Sequence, residues 1–292
     1  MMILDLSRWQ GVLDAAKAKA AGVVGVILRA TIGDYYTDGM FAENWQRAAD
    51  VGILVGGYHV FKPSIAAVRQ IQHYIDVIGA RVPDFPHRID AELNDGLPPS
   101  TVTNCLKACM PYIPRVRGKL PAIYTRKYWW DDNIVNDGTD WTIYPLHVAH
   151  YTTALVPLMP RSWTTWAIHQ YSADGNGLGN FYGVQSADVD LNRFNGDEAA
   201  LRAYCGLTAP FPPVPAPEWP CAVISRGDPR PLRYGPSTMA EKYGNLPPAL
   251  RVLAYQEITV NDDKWLRLTP AGEREIWTAR VWQGNELMRF VE

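Results

Sequence analysis

The sequence predicts an α/β fold in two parts, an incomplete (β/α) barrel followed by a small all-β barrel. Before residue 206, short apolar runs alternate with segments of helical periodicity, whereas residues 221–292 hold strand-like segments separated by turns. Residues 206–220 lie between these regions and contain six prolines. Because proline cannot donate a ladder hydrogen bond and favours extended backbone, this stretch predicts a semi-rigid linker. We therefore expect domains at 1–205 and 221–292, joined by the linker 206–220.

The elements of the first domain follow from periodicity. Residues 23–31 and 53–61 are continuous apolar runs rich in β-branched residues, typical of strands buried on both faces. Residues 41–52 between them predict a helix that ends at Gly52. Residues 64–79 repeat apolar side chains every three or four positions, which predicts a helix docked on the sheet. A further helix is predicted at 100–113, and further strands at 88–93, 120–125, 146–151, 166–172 and 187–194.

The domain has about eight predicted strands, with helices between the early strands and few helices between the later ones. This pattern favours an incomplete barrel over an open sheet. In barrels of parallel strands, catalytic residues lie at the carboxyl ends of the strands. Side chains that follow or end the strands are therefore the first candidates for a functional site.

Composition excludes several classes of function. The formal net charge is -2, so the basic surface expected of a nucleic-acid-binding protein is missing. No apolar run is long enough to cross a bilayer, and the N-terminus has no basic, apolar leader. We expect no nucleic-acid partner, no membrane insertion and synthesis in the cytoplasm. The 11 Trp and 15 Tyr, against 7 Phe, favour ligands with an apolar face and a polar rim, as sugars have.

The four cysteines do not predict a metal centre. Cys105 and Cys109 lie one helical turn apart, a spacing more typical of packing than of zinc binding. We expect neither a metal nor a cofactor. Cys205 and Cys221 flank the linker, and the sequence leaves open whether they form a disulfide.

Asp90 and Glu92 are the most informative pair of residues. At positions i and i+2 of a strand their side chains point to the same face, with Cα atoms roughly 6–7 Å apart. Glycosidases use two carboxyl groups, one to protonate the leaving oxygen and one to stabilise or trap the positive sugar. When two acids lie close together, the negative charge of one raises the pKa of the other, which keeps that other group protonated near neutral pH. The pair therefore predicts a glycosidase site.

Two more acids strengthen this prediction. Asp5 lies in the apolar first strand, and Asp190 lies near the end of the last strand. The first and last strands of a closed barrel are neighbours, so Asp5 and Asp190 should flank the Asp90–Glu92 pair. We expect four acids to line one cup.

Seven segments, in this order, resemble the signatures of family 25 glycoside hydrolases, which are N-acetylmuramidases. The resemblance implies an irregular TIM-like barrel with about five helices and eight strands. It also implies hydrolysis of the β-1,4 bond between N-acetylmuramic acid and N-acetylglucosamine in bacterial peptidoglycan, as a lysozyme or phage endolysin does. The segments are DLSRWQG (5–11), RAT (29–31), GGYH (56–59), DAE (90–92), YT (124–125), WAIHQYS (166–172) and VDLNRF (189–194).

The resemblance assigns roles to individual residues. Glu92 matches the family's general acid, and Asp90 matches the carboxylate that stabilises the positive centre or orients the 2-acetamido group. Asp5 and Asp190 match the two remaining acids. These positions leave open a covalent, an acetamido-assisted and a direct water mechanism. The residues expected to bind substrate are Tyr58, Tyr124, Tyr151 and Trp166.

Two further features belong to this resemblance. The family often reads Lys-Ala-Thr-Glu-Gly where this chain has 29–33 as RATIG, so Ile32 replaces an acid near the rim. Residues 231–238 and 264–268 look similar to bacterial SH3-like wall-binding domains. That similarity implies that 221–292 binds peptide or glycan of the cell wall.

Two alternatives to a muramidase remain. A chitinase-like N-acetylhexosaminidase also ends a strand on Asp-x-Glu, but its fuller motif places further acids upstream, where this chain has 87–89 as HRI. A non-catalytic cell-wall saccharide-binding protein would have no need of four acids in these settings. With no export signal, we expect the protein to stay in the cytoplasm until release and then to act on the wall.

Overall fold

The computed structural model separates the chain into two compact units, residues 1–210 and 211–292. The predicted domain boundaries at 205 and 221 stay a prediction. The residues described by the structure are 1–207, 221–225, 230–233, 242–246, 251–254, 256–260, 263–268, 277–282, 285–286 and 288–291.

Eight strands of the first unit form a closed barrel, as the sequence predicts. The sheet order is β1-β9-β8-β7-β6-β5-β4-β2, β1 pairs with β2 to close it, and the short strand β3 forms a hairpin with β2. The strands are Met2–Leu6 (β1), Val23–Ile32 (β2), Tyr36–Thr37 (β3), Leu54–Val60 (β4), Arg88–Asp90 (β5), Ala122–Arg126 (β6), Leu146–Ala149 (β7), Ile168–Ser172 (β8) and Asp190–Phe194 (β9).

The last strand of the barrel runs against the others. Strands β1, β2 and β4 to β8 are parallel to their neighbours, but β9 pairs antiparallel with both β8 and β1. Residues 173–189 connect β8 to β9 with a short 3-10 turn and no α-helix, so the chain re-enters the barrel from its mouth. The first residue of β9 therefore lies at the same end as the last residues of the parallel strands.

Six α-helices lie within residues 1–207, in agreement with the expectation of about five. The predicted helices at 41–52, 64–79 and 100–113 are confirmed with shorter bounds, and Met110–Tyr112 continues the third as a 3-10 turn. The helices are Ala15–Ala20 (α1), Phe41–Asp50 (α2), Ala67–Ile78 (α3), Pro99–Cys109 (α4), Lys127–Asn133 (α5) and Glu198–Cys205 (α6).

Alternation along the strands gives the barrel an apolar outer face and a polar lumen. Leu4 of β1 and Val26 of β2 pack outward with Trp45 of α2, while Ile89 of β5 packs with Leu106 of α4. Each buried methylene contributes about 0.8 kcal/mol, so these two outer layers stabilise the sheet against its helices. Some of the intervening positions supply the polar groups of the lumen, among them Asp5, Arg88 and Asp90.

Close packing deep in the barrel requires glycine at two positions. A Cβ on Gly25 of β2 would lie 2.5 Å from Cζ of the buried Phe85 ring. A Cβ on Gly56 of β4 would lie 2.9 Å from Cβ of the same residue. The Phe85 ring therefore fills the space that two missing side chains leave.

The described residues of the second unit are strands, apart from Leu268 after β15. One sheet has the order β13-β10-β18, and the other has the order β12-β11-β16-β15-β14, with β17 paired to β16. The SH3-like assignment stays a prediction. The strands are Cys221–Ser225 (β10), Arg230–Arg233 (β11), Lys242–Leu246 (β12), Arg251–Ala254 (β13), Gln256–Val260 (β14), Asp263–Arg267 (β15), Trp277–Trp282 (β16), Asn285–Glu286 (β17) and Met288–Val291 (β18).

The cysteine question has a partial answer. Cys205 is a free, buried thiol at the end of α6. The side chain of Cys221 lies outside the described residues, so its pairing stays a question. Cys109 is buried among the apolar residues of α4, as predicted for a packing role. Within the residues that the structure describes, no helix is long and apolar enough to span a bilayer.

Candidate active site

The mouth of the barrel brings the four predicted acids together. Asp5 and Asp190 are directly opposite each other in the register of β1 and β9. Asp90 is the last residue of β5, and burial together with the negative charges of Glu92 and Asp5 raises its pKa. One expectation is corrected: Asp190 begins its strand rather than lying near the end, and it reaches the cup because β9 is antiparallel.

Glu92 lies two residues beyond the end of β5, which is shorter than the strand predicted at 88–93. The backbone beyond Asp90 is nevertheless held to β6. Ala91 N donates a hydrogen bond to the Tyr124 carbonyl at 2.8 Å, and Thr125 Oγ1 donates to the Ala91 carbonyl at 2.7 Å. These bonds fix the segment between the two acids, so Asp90 and Glu92 share one pocket.

Gln170 of β8 connects three of the side chains that surround the cup. Its Nε2 donates a hydrogen bond to Asp5 Oδ2 at 3.2 Å. Its Oε1 accepts hydrogen bonds from the hydroxyls of Tyr124, at 2.8 Å, and of Tyr151, at 3.3 Å. Since β9 lies between β8 and β1, and β7 lies between β8 and β6, the bonds to Asp5 and Tyr124 cross the lumen. Together the three bonds orient Asp5 and both tyrosines.

A buried cation and a neutral histidine lie beneath the acids. Arg88 is 2% exposed, and its Nη1 is 3.9 Å from Asp5 Oδ1. His147 Nε2 is 3.8 Å from Asp5 Oδ2, but burial and the charge of Arg88 lower the pKa of His147 well below its usual value. The imidazole is therefore neutral. Its Nε2 donates to Asn192 Oδ1 at 2.7 Å, since an amide oxygen can only accept.

Asp5 and Asp190 hold protons more strongly than ordinary carboxylic acids. Burial raises the pKa of Asp5 to about 7, although the Arg88 charge and the Gln170 hydrogen bond oppose the shift. Burial, with the charges of Asp5 and Glu92, raises the pKa of Asp190 to about 8. Since each ionisation opposes the next, the cup holds fewer than four negative charges at neutral pH.

The Asp90–Glu92 pair has the electrostatic character that acid catalysis requires. Burial raises the pKa of Glu92, while Arg126 at the end of β6 opposes the shift. Burial and the neighbouring acids raise the pKa of Asp90. A carboxyl group that stays protonated near neutral pH can donate its proton to a leaving oxygen. The arrangement can therefore break a glycosidic bond.

Comparison with known proteins decides which glycosidases this site resembles. Residues 4–180 match the model of the family described as Glycosyl hydrolases family 25. The chain belongs to this family. It is accordingly a glycoside hydrolase, and the fold class predicted from the sequence is confirmed for its first unit.

Relatives of this family 25 enzyme cover the same region. The uncharacterised protein YegX of Escherichia coli O157:H7 is 30% identical over 206 residues, which are 69% of this chain and 72% of YegX. Lysozyme M1 of Streptomyces globisporus is 28% identical over 216 residues, 70% of this chain and 71% of that protein. The crystal structure of the lysozyme from Streptomyces coelicolor has a TM-score of 0.62 and 28% identity, covering 70% of this chain and 97% of that one.

Three of the four aromatic residues predicted to bind substrate lie at the cup of the family 25 enzyme. Tyr58 lies on β4, and burial raises its pKa, with smaller contributions from the charges of Asp90, Asp5 and Asp190. Tyr124 is the register partner of Asp90. Tyr151 follows β7 and is 57% exposed at the rim. Their pKa values are all raised, so the hydroxyls remain protonated donors.

Trp166 does not lie with these tyrosines. It precedes β8 and is therefore at the amino-terminal end of the barrel, opposite the acids. Its carbonyl accepts a hydrogen bond at 3.0 Å from Nδ2 of Asn195, the residue that follows β9. Its ring packs against the core cluster that contains Trp163. Trp166 is therefore a packing residue, and the sequence motif misled because it starts two residues before the strand.

Sequence reasoning missed the polar residues that hold the acids in place. Gln170 lies inside one of the seven family segments. It could have been found from its position two residues after Ile168, which places its polar side chain on the same inward face of a buried strand. Arg88 was considered only as evidence against a chitinase. Among the described residues, no group of His, Cys, Asp or Glu is arranged to hold a metal ion.

Proposed function

We propose that the protein is an N-acetylmuramidase that hydrolyses the β-1,4 bond between N-acetylmuramic acid and N-acetylglucosamine in bacterial peptidoglycan. The observation that carries this proposal is the meeting of Asp5, Asp90, Glu92 and Asp190 in one cup. Relatives named lysozyme and N,O-diacetylmuramidase share this family.

The proposed reaction begins with Glu92 in its protonated form. Glu92 donates its proton to the glycosidic oxygen as the bond from that oxygen to C1 of muramic acid breaks. The Asp90 carboxylate stabilises the positive charge that develops at C1 or orients the 2-acetamido group. A water oxygen then bonds to C1, and a proton from that water restores Glu92. The products are a strand with reducing-end muramic acid and a strand with a free 4-hydroxyl.

Loss of turbidity of purified peptidoglycan tests this assignment. The native chain should clear the suspension, and Glu92→Gln, which cannot donate a proton, should clear it at least about 100-fold more slowly. Glu198→Gln alters an exposed residue of α6 and serves as the matched control. Equal clearing by native chain and Glu92→Gln would remove Glu92 from its role.

Analysis of the products and of other glycans separates the alternatives. Mass spectrometry should find muramic acid at the new reducing ends, and glucosamine there would reassign the cleaved bond. Cleavage of chitin oligomers with no cleavage of peptidoglycan would favour the chitinase-like alternative. Binding to peptidoglycan without cleavage of either polymer would favour the saccharide-binding alternative.

Two finer statements belong to this proposal. We expect the second unit to bind peptide or glycan of the wall, and we expect the protein to reach the wall after release from the cytoplasm, as an endolysin does. Sedimentation of the full-length Glu92→Gln chain with intact walls and with peptide-stripped walls distinguishes the two ligands. Fractionation of producing cells before and after membrane permeabilisation tests the route, and lysis from unpermeabilised cells would contradict it.

A further inference from the structure

An alternating series of aromatic rings and guanidinium groups lies at the rim of the barrel mouth, outside the four acids. The Arg8 guanidinium carbon lies 4.4 Å from the centre of the Trp9 ring and 5.5 Å from the centre of the Tyr36 ring. The Arg29 guanidinium carbon lies 5.6 Å from the centre of the same Tyr36 ring. We refer to Trp9, Arg8, Tyr36 and Arg29 as the rim ladder.

The rim ladder is continuous with the cup. Arg29 lies on β2, two residues beyond Ile27, the register partner of Asp5. It is also the register partner of Tyr58 on β4, a tyrosine of the cup. Tyr36, Arg8 and Trp9 then extend the series outward to the surface. A ligand long enough to leave the cup on this side meets the rim ladder next.

The exposed end of the rim ladder is held in a fixed position. Trp9 is 67% exposed, an unusual fraction for a large apolar ring. Its turn is fixed by a capping box in which the Ser7 side chain accepts a hydrogen bond from Trp9 N and Gln10 Oε1 accepts one from Ser7 N. A ring that is already ordered loses little entropy on binding, which favours a ligand-binding role.

Asp38 connects this turn to β2. Its carboxylate is buried, and Oδ2 accepts hydrogen bonds from Arg29 Nε at 2.7 Å and from the backbone N of Arg8 at 3.1 Å. Oδ1 accepts a third from Met40 N at 3.0 Å. One carboxylate therefore fixes both cationic positions of the rim ladder relative to each other.

The charge of the rim ladder selects an acidic ligand. Asp38 neutralises Arg29, but among the described residues no carboxylate lies within ion-pair distance of the exposed Arg8 guanidinium. The one acid in the turn of the β2–β3 hairpin, Asp34, is paired with Arg69 of α3, and the register partner of Tyr36 is the apolar Ile32. A planar indole beside an uncompensated guanidinium fits a sugar that carries a carboxylate.

We propose that Trp9 and Arg8 form a distal subsite that binds a carboxylate-bearing amino sugar of the glycan strand whose cleaved bond lies over Glu92. This inference rests on the proposed muramidase function and names the part of the substrate that the rim ladder recognises. The indole stacks on the sugar face, and the guanidinium pairs with the carboxylate. The carboxylate belongs either to the lactyl ether of muramic acid or to an attached stem peptide.

Chain-length dependence of hydrolysis tests the distal subsite. On peptide-free glycan, Trp9→Ala should lower the preference for a dodecasaccharide over a tetrasaccharide, measured as the ratio of kcat/KM values, about threefold to tenfold. The loss should appear in KM, because the subsite binds sugar remote from the reacting bond. Trp9→Phe, which keeps an aromatic face, should restore most of the preference. Tyr112→Ala removes an exposed ring beyond α4 and is the control.

The charge of the substrate tests the role of Arg8. Arg8→Gln should weaken binding of peptide-free strands, and reduction of their lactyl carboxylates to alcohols should remove the difference between the native chain and this variant. If only peptide-bearing strands show the difference, the stem peptide supplies the carboxylate. The substrates are thus peptide-free, carboxyl-reduced and peptide-bearing strands. If the native chain and Arg8→Gln bind each of them equally well, the proposal for Arg8 is overturned.

Failure of this inference is distinguishable from failure of the proposed function. If the native chain does not cleave peptidoglycan, the proposed function fails. If the native chain cleaves it and Trp9→Ala keeps the native length preference, the distal subsite alone is wrong. Calorimetry can measure the affinity for the dodecasaccharide without catalysis if both chains carry Glu92→Gln. If the additional Trp9→Ala change leaves that affinity unchanged, the subsite is overturned.

Discussion

Gln170 Nε2 donates a hydrogen bond to Asp5 Oδ2 over 3.2 Å, although 165 positions separate the two residues in the chain. The same amide accepts hydrogen bonds from Tyr124 and Tyr151. One neutral side chain thus sets the position of an acid and of two rings on opposite sides of the cup. This relationship leads to the first prediction.

Gln170→Glu should reduce hydrolysis without unfolding the barrel. The new carboxylate still accepts from Tyr124 and Tyr151, but it cannot donate to Asp5 and it adds a like charge, so the pKa of Asp5 should rise above about 7. We expect kcat on peptidoglycan fragments to fall about tenfold or more. Gln72→Glu on the exposed face of α3 is the control, and equal kcat for both variants would contradict the prediction.

Arg88→Met should change the titration of Asp5. The buried guanidinium lowers the pKa of Asp5, so its removal leaves only the Gln170 hydrogen bond to oppose burial, and the pKa rises. Carbon-13 NMR of labelled aspartate carboxyls in the full-length chain measures the titration. Arg88→Lys keeps a positive charge and should shift the midpoint less. An Asp5 midpoint unchanged in Arg88→Met would show that the cation at 3.9 Å does not act on it.

Arg126→Gln should move the alkaline limb of the activity profile to higher pH. The positive charge of Arg126 lowers the pKa of both Glu92 and Asp90, and its removal raises both. A general acid with a higher pKa stays protonated to higher pH, so activity persists further into the alkaline range. Measurement of kcat/KM from about pH 4 to about pH 9 for both chains tests this. A shift to lower pH would contradict the electrostatic assignment.

Asp190→Asn should stabilise the chain increasingly as pH rises. The pKa of Asp190 is about 8 in the folded protein and near 3.8 unfolded, so the folded state binds the proton more tightly between these values. The contribution of Asp190 to stability is present below about pH 4 and is lost as pH rises through about 8. Urea unfolding at about pH 4, 6 and 8 should therefore show a growing advantage of the Asp190→Asn variant over the native chain. A constant difference would exclude this proton linkage.

Gly25→Ala should destabilise the barrel through Phe85. The added Cβ would lie 2.5 Å from the Phe85 ring, which is fully buried. We expect a loss of about 1–3 kcal/mol in the free energy of unfolding. Gly39→Ala meets no atom within 4 Å and should change stability by less than about 0.5 kcal/mol. Similar stability of the two variants would contradict the close packing of Phe85 against β2.

The sequence predicted the helices and the acids better than the geometry that joins them. Residues 64–79 indicated α3 because their apolar positions repeat with a helical period. The direction of β9 was not visible, because a period of two is the same for either strand direction. Asp190 was therefore expected near the end of a strand that it begins. Asp190 was correctly expected in the cup, but the reason is the antiparallel pairing of β9 with β1, which only the structure shows.

Side chains that support the acids were harder to find than the acids themselves. Asp90 and Glu92 were recognisable from spacing, whereas Arg88 in the same strand carries no motif of its own. Trp166 was grouped with substrate-binding residues because its motif continues into β8, yet the strand starts at Ile168 and leaves Trp166 at the opposite edge. Sequence spacing places a residue along a strand but does not show which end of the barrel it occupies.

Closure of the sheet by its first and last strands has a consequence for synthesis of the enzyme. Asp5 is translated well before its partners Gln170 and Asp190, which are added only as the domain nears completion. Nascent or prematurely terminated chains that lack β8 and β9 therefore hold an incomplete set of acids. We therefore expect hydrolytic activity only after the two distant ends of the domain have come together.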